Sequence, residues 1–95
     1  MIDQDTVLTR NPGVAFRRMS EGNGSLLLHV QTAEYHGLNE VGSLIWELLE
    51  NEIRCERLFE DMRARLSSTP EGLETEIREF LEDLVERDLI HVAKD

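Results

Sequence analysis

Ninety-five residues make one domain with a core of modest size, and a hydrophobic fraction of 40% is enough to pack it rather than leave it disordered. Twenty acidic residues against 10 basic give a net charge of −10, which disfavours nucleic acid and anionic membranes as partners. Cys55 is the one cysteine, so no internal disulfide is possible. No apolar run approaches the roughly 20 residues of a membrane span, and the acidic N-terminus lacks a signal-peptide pattern, so the expected location is cytoplasmic.

In chain order, Asn11-Pro12-Gly13 is a turn, because Pro presets the second turn position and Gly tolerates positive φ. Val14 to Met19 follows as a first strand. Glu21-Gly22-Asn23-Gly24-Ser25 is a second reversal. Ser25 to Gln31 reads as a second strand with Leu26, Leu28 and Val30 on one face and Leu27 and His29 on the other. Thr32 to Leu38 is a third strand, mostly polar, as edge strands often are.

Three helices come next. Asn39 is placed to cap the first, over Glu40 to Leu49, with Glu40 favourably set in its first turn. Val41, Leu44, Ile45, Leu48 and Leu49 form its apolar stripe. The second, Cys55 to Leu66, carries Leu58, Phe59, Met62 and Leu66, and Arg54 is a poor cap for it. The third starts at a Thr69 cap with Pro70 in the first position, and it buries Leu73, Ile77, Phe80, Leu81 and Leu84. At about 19 residues it would span roughly 28 Å. Leu89-Ile90-His91-Val92 closes the chain as a short extended tail. The expected fold is therefore α+β, a three-stranded antiparallel sheet followed by three helices, in a single domain over residues 1–95.

Two segments carry a family resemblance. Leu38-Asn39-Glu40-Val41-Gly42-Ser43-Leu44-Ile45-Trp46-Glu47-Leu48-Leu49 resembles the signature L-N-x-x-G-x-x-I-W-x-L-L of the PqqD-like family of peptide recognition elements. Ile77 to Ile90 resembles that family's closing pattern V-x-x-F-L-x-x-L-x-x-x-G-L-I, with Asp88 in place of the usual glycine. The resemblance implies a winged helix-turn-helix-like fold and a non-catalytic role. Such proteins bind the leader segment of a ribosomally made precursor peptide between the third strand and the third helix. They pass it to maturation enzymes such as a leader peptidase or cyclase, and a standalone chain of this size resembles the lasso-peptide members. Carried over by position, the peptide-binding residues are Thr32, Ala33, Glu34, Tyr35 and His36 on the strand. On the helix they are Glu74, Arg78, Leu81, Glu82 and Val85, a second stripe beside the core one.

Other chemistries fare worse. The third helix and its end carry eight acids, Glu71 to Asp88, against Arg78 and Arg87, a net −6 on the element a winged helix would lay on phosphates. A winged-helix DNA-binding regulator is thus a remote alternative. His29, His36 and His91 lie on different elements without metal-ligand spacing, and surface strand histidines are the simpler expectation. Nothing marks Cys55 as a nucleophile, and no glycine-rich phosphate loop follows a strand. No cofactor is expected. A peptide chaperone or quinone carrier in pyrroloquinoline quinone assembly is the nearer alternative. Five aromatics and no basic cluster argue against the carrier.

Overall fold

A computed structural model describes residues 2–19, 24–66 and 71–93. The elements are β1 (Val7–Arg10), β2 (Val14–Arg18), β3 (Ser25–His29), β4 (Glu34–Leu38), α1 (Glu40–Leu48), β5 (Ile53–Arg54), α2 (Cys55–Arg65), α3 (Leu73–Glu86) and β6 (Ile90–Ala93). They form two three-stranded antiparallel sheets, ordered β2-β3-β4 and β5-β1-β6, with three helices. The first sheet and the helices match the α+β expectation. The second sheet does not appear in it: β1 and β5 are short, and each pairs with a segment far away in sequence.

Asn11 builds the turn before β2 as expected. Val14 N–H donates to the Asn11 carbonyl at 3.1 Å, and Gly13 N–H to Asn11 Oδ1 at 2.9 Å. The reversal expected at Glu21 to Ser25 falls largely outside the described residues, as do Thr69 and Pro70. Among the described residues α3 begins at Leu73, 14 residues long, and Gly72 precedes it at φ 85° without a side-chain cap.

Asn39 does cap α1: Gly42 N–H donates to its Oδ1 at 2.8 Å. The buried face of α1 is Gly42, Ser43, Ile45 and Trp46, with Leu49 just beyond, whereas Val41 from the expected stripe is exposed. Ser43 reaches the buried Ser25 of β3, Oγ to Oγ 2.6 Å, so each hydroxyl satisfies the other where water is excluded. Arg10 of β1 joins the β5-β1-β6 sheet to α1. Its guanidinium lies 4.7 Å from the centre of the Trp46 ring and donates to the Trp46 carbonyl. Burial lowers its pKa, and Glu50 and Glu47 oppose that.

Helix α2 lacks a side-chain cap, as Arg54 foretold. Its first amides are instead satisfied by the N-terminal segment, Cys55 N–H on the Thr6 carbonyl at 2.8 Å and Glu56 N–H on Gln4 at 3.0 Å. Burial pushes the Cys55 thiol pKa up, which leaves it a packed, unreactive side chain. The core runs through Leu8, Leu27, Ile45, Trp46, Leu58, Phe59, Met62, Leu81 and Ile90, joining both sheets to all three helices.

Candidate functional site

Among the described residues β4 is an unpaired edge of the β2-β3-β4 sheet. In the β2–β3 hairpin, Met19 N–H bonds the Gly24 carbonyl and Val30 N–H the Gly13 carbonyl. Even-numbered residues of β3 therefore turn their backbone groups toward β2, and Ser25, Leu27 and His29 turn theirs toward β4. Their register partners Leu38, His36 and Glu34 are used up in that ladder. Tyr35 and Gly37 are left with N–H and C=O directed outward at the edge.

Helix α3 stands beside this edge, and between them lies a cleft of about 300 Å³. Its strand side is Tyr35, His36, Gly37 and Leu38, and its helix side is Phe80, Asp83, Leu84 and Arg87, with Leu89 closing the end. The helix residues follow i, i+3, i+4 and i+7, a single stripe. Phe80 and Leu84 give it an apolar floor. Asp83 and Arg87 pair across its rim at 3.0 Å, and both are about half exposed.

The expected site residues divide sharply. Glu34, Tyr35 and His36 lie on β4, and Tyr35 and His36 line the cleft. Thr32 and Ala33 are not on the strand. They form the turn before it, where Thr32 N–H donates to His29 Nδ1 at 3.3 Å and Ala33 N–H to the His29 carbonyl at 2.8 Å. Ala33 sits at φ 61°, outside extended backbone.

On α3 the expected stripe lies against other neighbours than β4. Glu74 pairs with Arg63 of α2 at 3.1 Å, and Arg78 lies 5.9 Å from the Phe59 ring centre. Glu82 accepts from the Ile2 amide at 3.3 Å, Leu81 is fully buried, and Val85 packs on the core. The core stripe has two flanks, and the strand lies along the other one. Phe80 and Leu84 are expected in the core; Leu84 lies in both core and cleft, at 2% exposure, while Phe80 is half-buried and open to the cleft.

Beneath one end of the cleft sits a polar knot. His29, expected on the surface, is buried at 4% exposure. Its Nε2 meets Asp88 Oδ2 at 3.0 Å, and His91 Nε2 meets Asp88 Oδ1 at 2.9 Å. Asn11 Nδ2 donates to the Asp88 carbonyl at 2.7 Å. The hydrogen bonds from His29 and then His91 hold the Asp88 carboxyl below the usual carboxylate range. Asp88 itself adopts φ 62°, where glycine is usual. Leu89 N–H bonds the Leu84 carbonyl at 2.9 Å and Asp88 N–H bonds Val85 at 3.0 Å, a Schellman turn that stops α3 and carries Leu89 into the cleft wall. The carboxylate that replaces glycine is thus spent on tying β3 to the start of β6.

These features define a small α+β domain whose sheet keeps an open edge beside a helix-walled cleft. Residues 24–90 match the family model described as "Coenzyme PQQ synthesis protein D (PqqD)", and the chain belongs to that family. It is also similar to a solved structure, "TbiB1 in Complex with the TbiA(beta) Leader Peptide". The two share 32% sequence identity at a TM-score of 0.76, over 92% of this chain and 99% of that one. No curated protein matches the chain. Among the described residues no helix is long and apolar enough to cross a membrane.

Proposed function

We propose that this protein is a non-catalytic, cytoplasmic recognition domain for the leader segment of a ribosomally made precursor peptide. The leader adds as a strand to the β4 edge, rests an apolar side chain between Phe80 and Leu84, and is presented to maturation enzymes such as a leader peptidase or cyclase. One observation carries the reading: the outward backbone groups of Tyr35 and Gly37 face a cleft with an apolar floor, so main-chain bonds supply affinity and the cleft supplies selectivity. Membership of the PqqD family and the likeness to a chain solved with a leader peptide support it. The placing of α1, α2 and α3 after the β2–β3–β4 sheet supports the winged helix-turn-helix-like arrangement.

The rival readings lack matching chemistry. A quinone carrier needs cations for the ligand's carboxylates, and among the described residues lining this cleft the one arginine or lysine, Arg87, is paired with Asp83. A DNA reader would have to lay on phosphates a helix with six acids and a single arginine.

Titration of labelled TbiA(β) leader peptide tests the proposal. Binding is expected at micromolar Kd or tighter, about −8 kcal/mol. Amide exchange should slow at Tyr35 and Gly37 when peptide is bound, because their N–H groups acquire partners. No binding at concentrations on the order of tens of micromolar, or protection confined to α2, would overturn it.

A further inference from the structure

A strand laid on the β4 edge sends successive side chains to opposite faces. One set enters the cleft against Phe80 and Leu84, and the other emerges on the far face of the β2–β3–β4 sheet. That face is apolar and open. It carries Leu26, Leu28, Ala15, Val30 and Tyr35, and the last two are 62% and 68% exposed. Arg17 is its single charged side chain among the described residues of the three strands.

The register gives this face its relief. Ala15, Leu28 and Tyr35 form one row across the sheet, and Arg17, Leu26 and Gly37 form the next. At the edge the first row ends in a tall aromatic wall, while the second ends in no side chain at all. A Cβ built on Gly37 would meet nothing within 4 Å, and its φ lies outside the left-handed region, so neither packing nor backbone requires glycine there. The gap leaves half-buried Leu26 reachable from the edge. Tyr35 belongs both to the cleft and to an apolar depression of about 250 Å³ on the outer face, which makes the two surfaces continuous around β4.

We infer that the notch at Gly37 is a side-chain subsite for the bound peptide. The residue paired with Gly37 lies over the glycine onto Leu26, with Tyr35 flanking it, and the subsite takes a large apolar side chain. Charge separates the two sides of the added strand. On its inner side Asp83 and Arg87 already pair with each other, whereas on the outer side Arg17 behind Leu26 repels basic residues from the notch. The inference rests on the leader-binding reading above and adds a second face to its recognition.

Gly37→Val is the test. A β-branched residue suits a strand, and the open space around the Cβ lets the variant fold and melt at or above the wild-type temperature. Filling the notch should raise the Kd for TbiA(β) leader peptide by about tenfold or more, the scale of one excluded aliphatic contact. Phe80→Ala, on the opposite side of the strand, is measured in parallel. Weakening by Phe80→Ala alone, with Gly37→Val unchanged or tighter, overturns the subsite and leaves the leader-binding reading standing. Failure of the wild-type protein to bind overturns that reading and the subsite with it.

Discussion

Removing the α1 cap by Asn39→Ala isolates the junction on which the edge strand depends. Asn39 Oδ1 accepts the Gly42 amide at 2.8 Å, and Gly42 is buried beneath Phe80 and Leu38. Alanine leaves that N–H without a partner where water has poor access. Loss of an N-cap costs about 0.5–2 kcal/mol, and stranding a buried donor about 1–3 kcal/mol, so the two scales overlap at about 1–2 kcal/mol. In a domain of this size each kcal/mol moves Tm by about 4–8 °C, which predicts a fall of about 4–16 °C. Circular dichroism melts and urea titrations of Asn39→Ala, with Asn39→Ser as the control that keeps a capping oxygen, measure it. A loss within about 0.5 kcal/mol for alanine, or an equal loss for serine, would refute the argument, since the hydrogen bond would then not be the stabilising contact.

Two further outcomes follow from the site geometry. Phe80→Ala should weaken leader binding by about tenfold, through loss of roughly 1–3 kcal/mol of apolar contact, while Glu74→Ala, on the α2 side of the same helix, should change it by less than about twofold; isothermal titration of both variants checks this. The Asp88 carboxylate contributes stability that is full above the ordinary aspartate value of about 3.9 and is lost as pH falls through its lower folded-state value. Urea midpoints of wild type and Asp88→Asn, which keeps a residue tolerant of positive φ, should therefore differ at neutral pH and converge in acid; a constant gap across that range would contradict the assignment.

Local chemistry made much of this protein legible in its sequence. Asn39 before an apolar helical repeat, Pro12-Gly13 after Asn11, and the Leu73-Ile77-Leu81-Leu84 spacing each specify an element through forces acting over a few residues. The motif around Gly42 pointed to the family, and Gly42 now has a reason: a Cβ there would stand 3.2 Å from the Phe80 ring and 3.4 Å from Leu38 Cβ, where α1 passes beneath the cleft floor. What remained hidden depended on contacts distant in sequence. The strand of Val7 to Arg10 exists because Ile53–Arg54 and Ile90–Ala93 flank it, and four residues carry too little pattern to announce that.

Alternation along Ser25 to His29 determined that two faces existed, but not which would be buried. The tertiary fold turned Ser25, Leu27 and His29 inward and left Leu26, Leu28 and Val30 on the open face, because the inner face offered partners for the polar groups: Ser43 for Ser25 and Asp88 for His29. The helix side of the cleft carries the same ambiguity. An amphipathic helix with charged residues on both flanks of its core stripe has no intrinsic preference for which flank meets a strand. The Schellman turn at Asp88 and the docking of α2 against Glu74 and Arg78 made that choice, bringing Phe80, Asp83, Leu84 and Arg87 to the β4 edge.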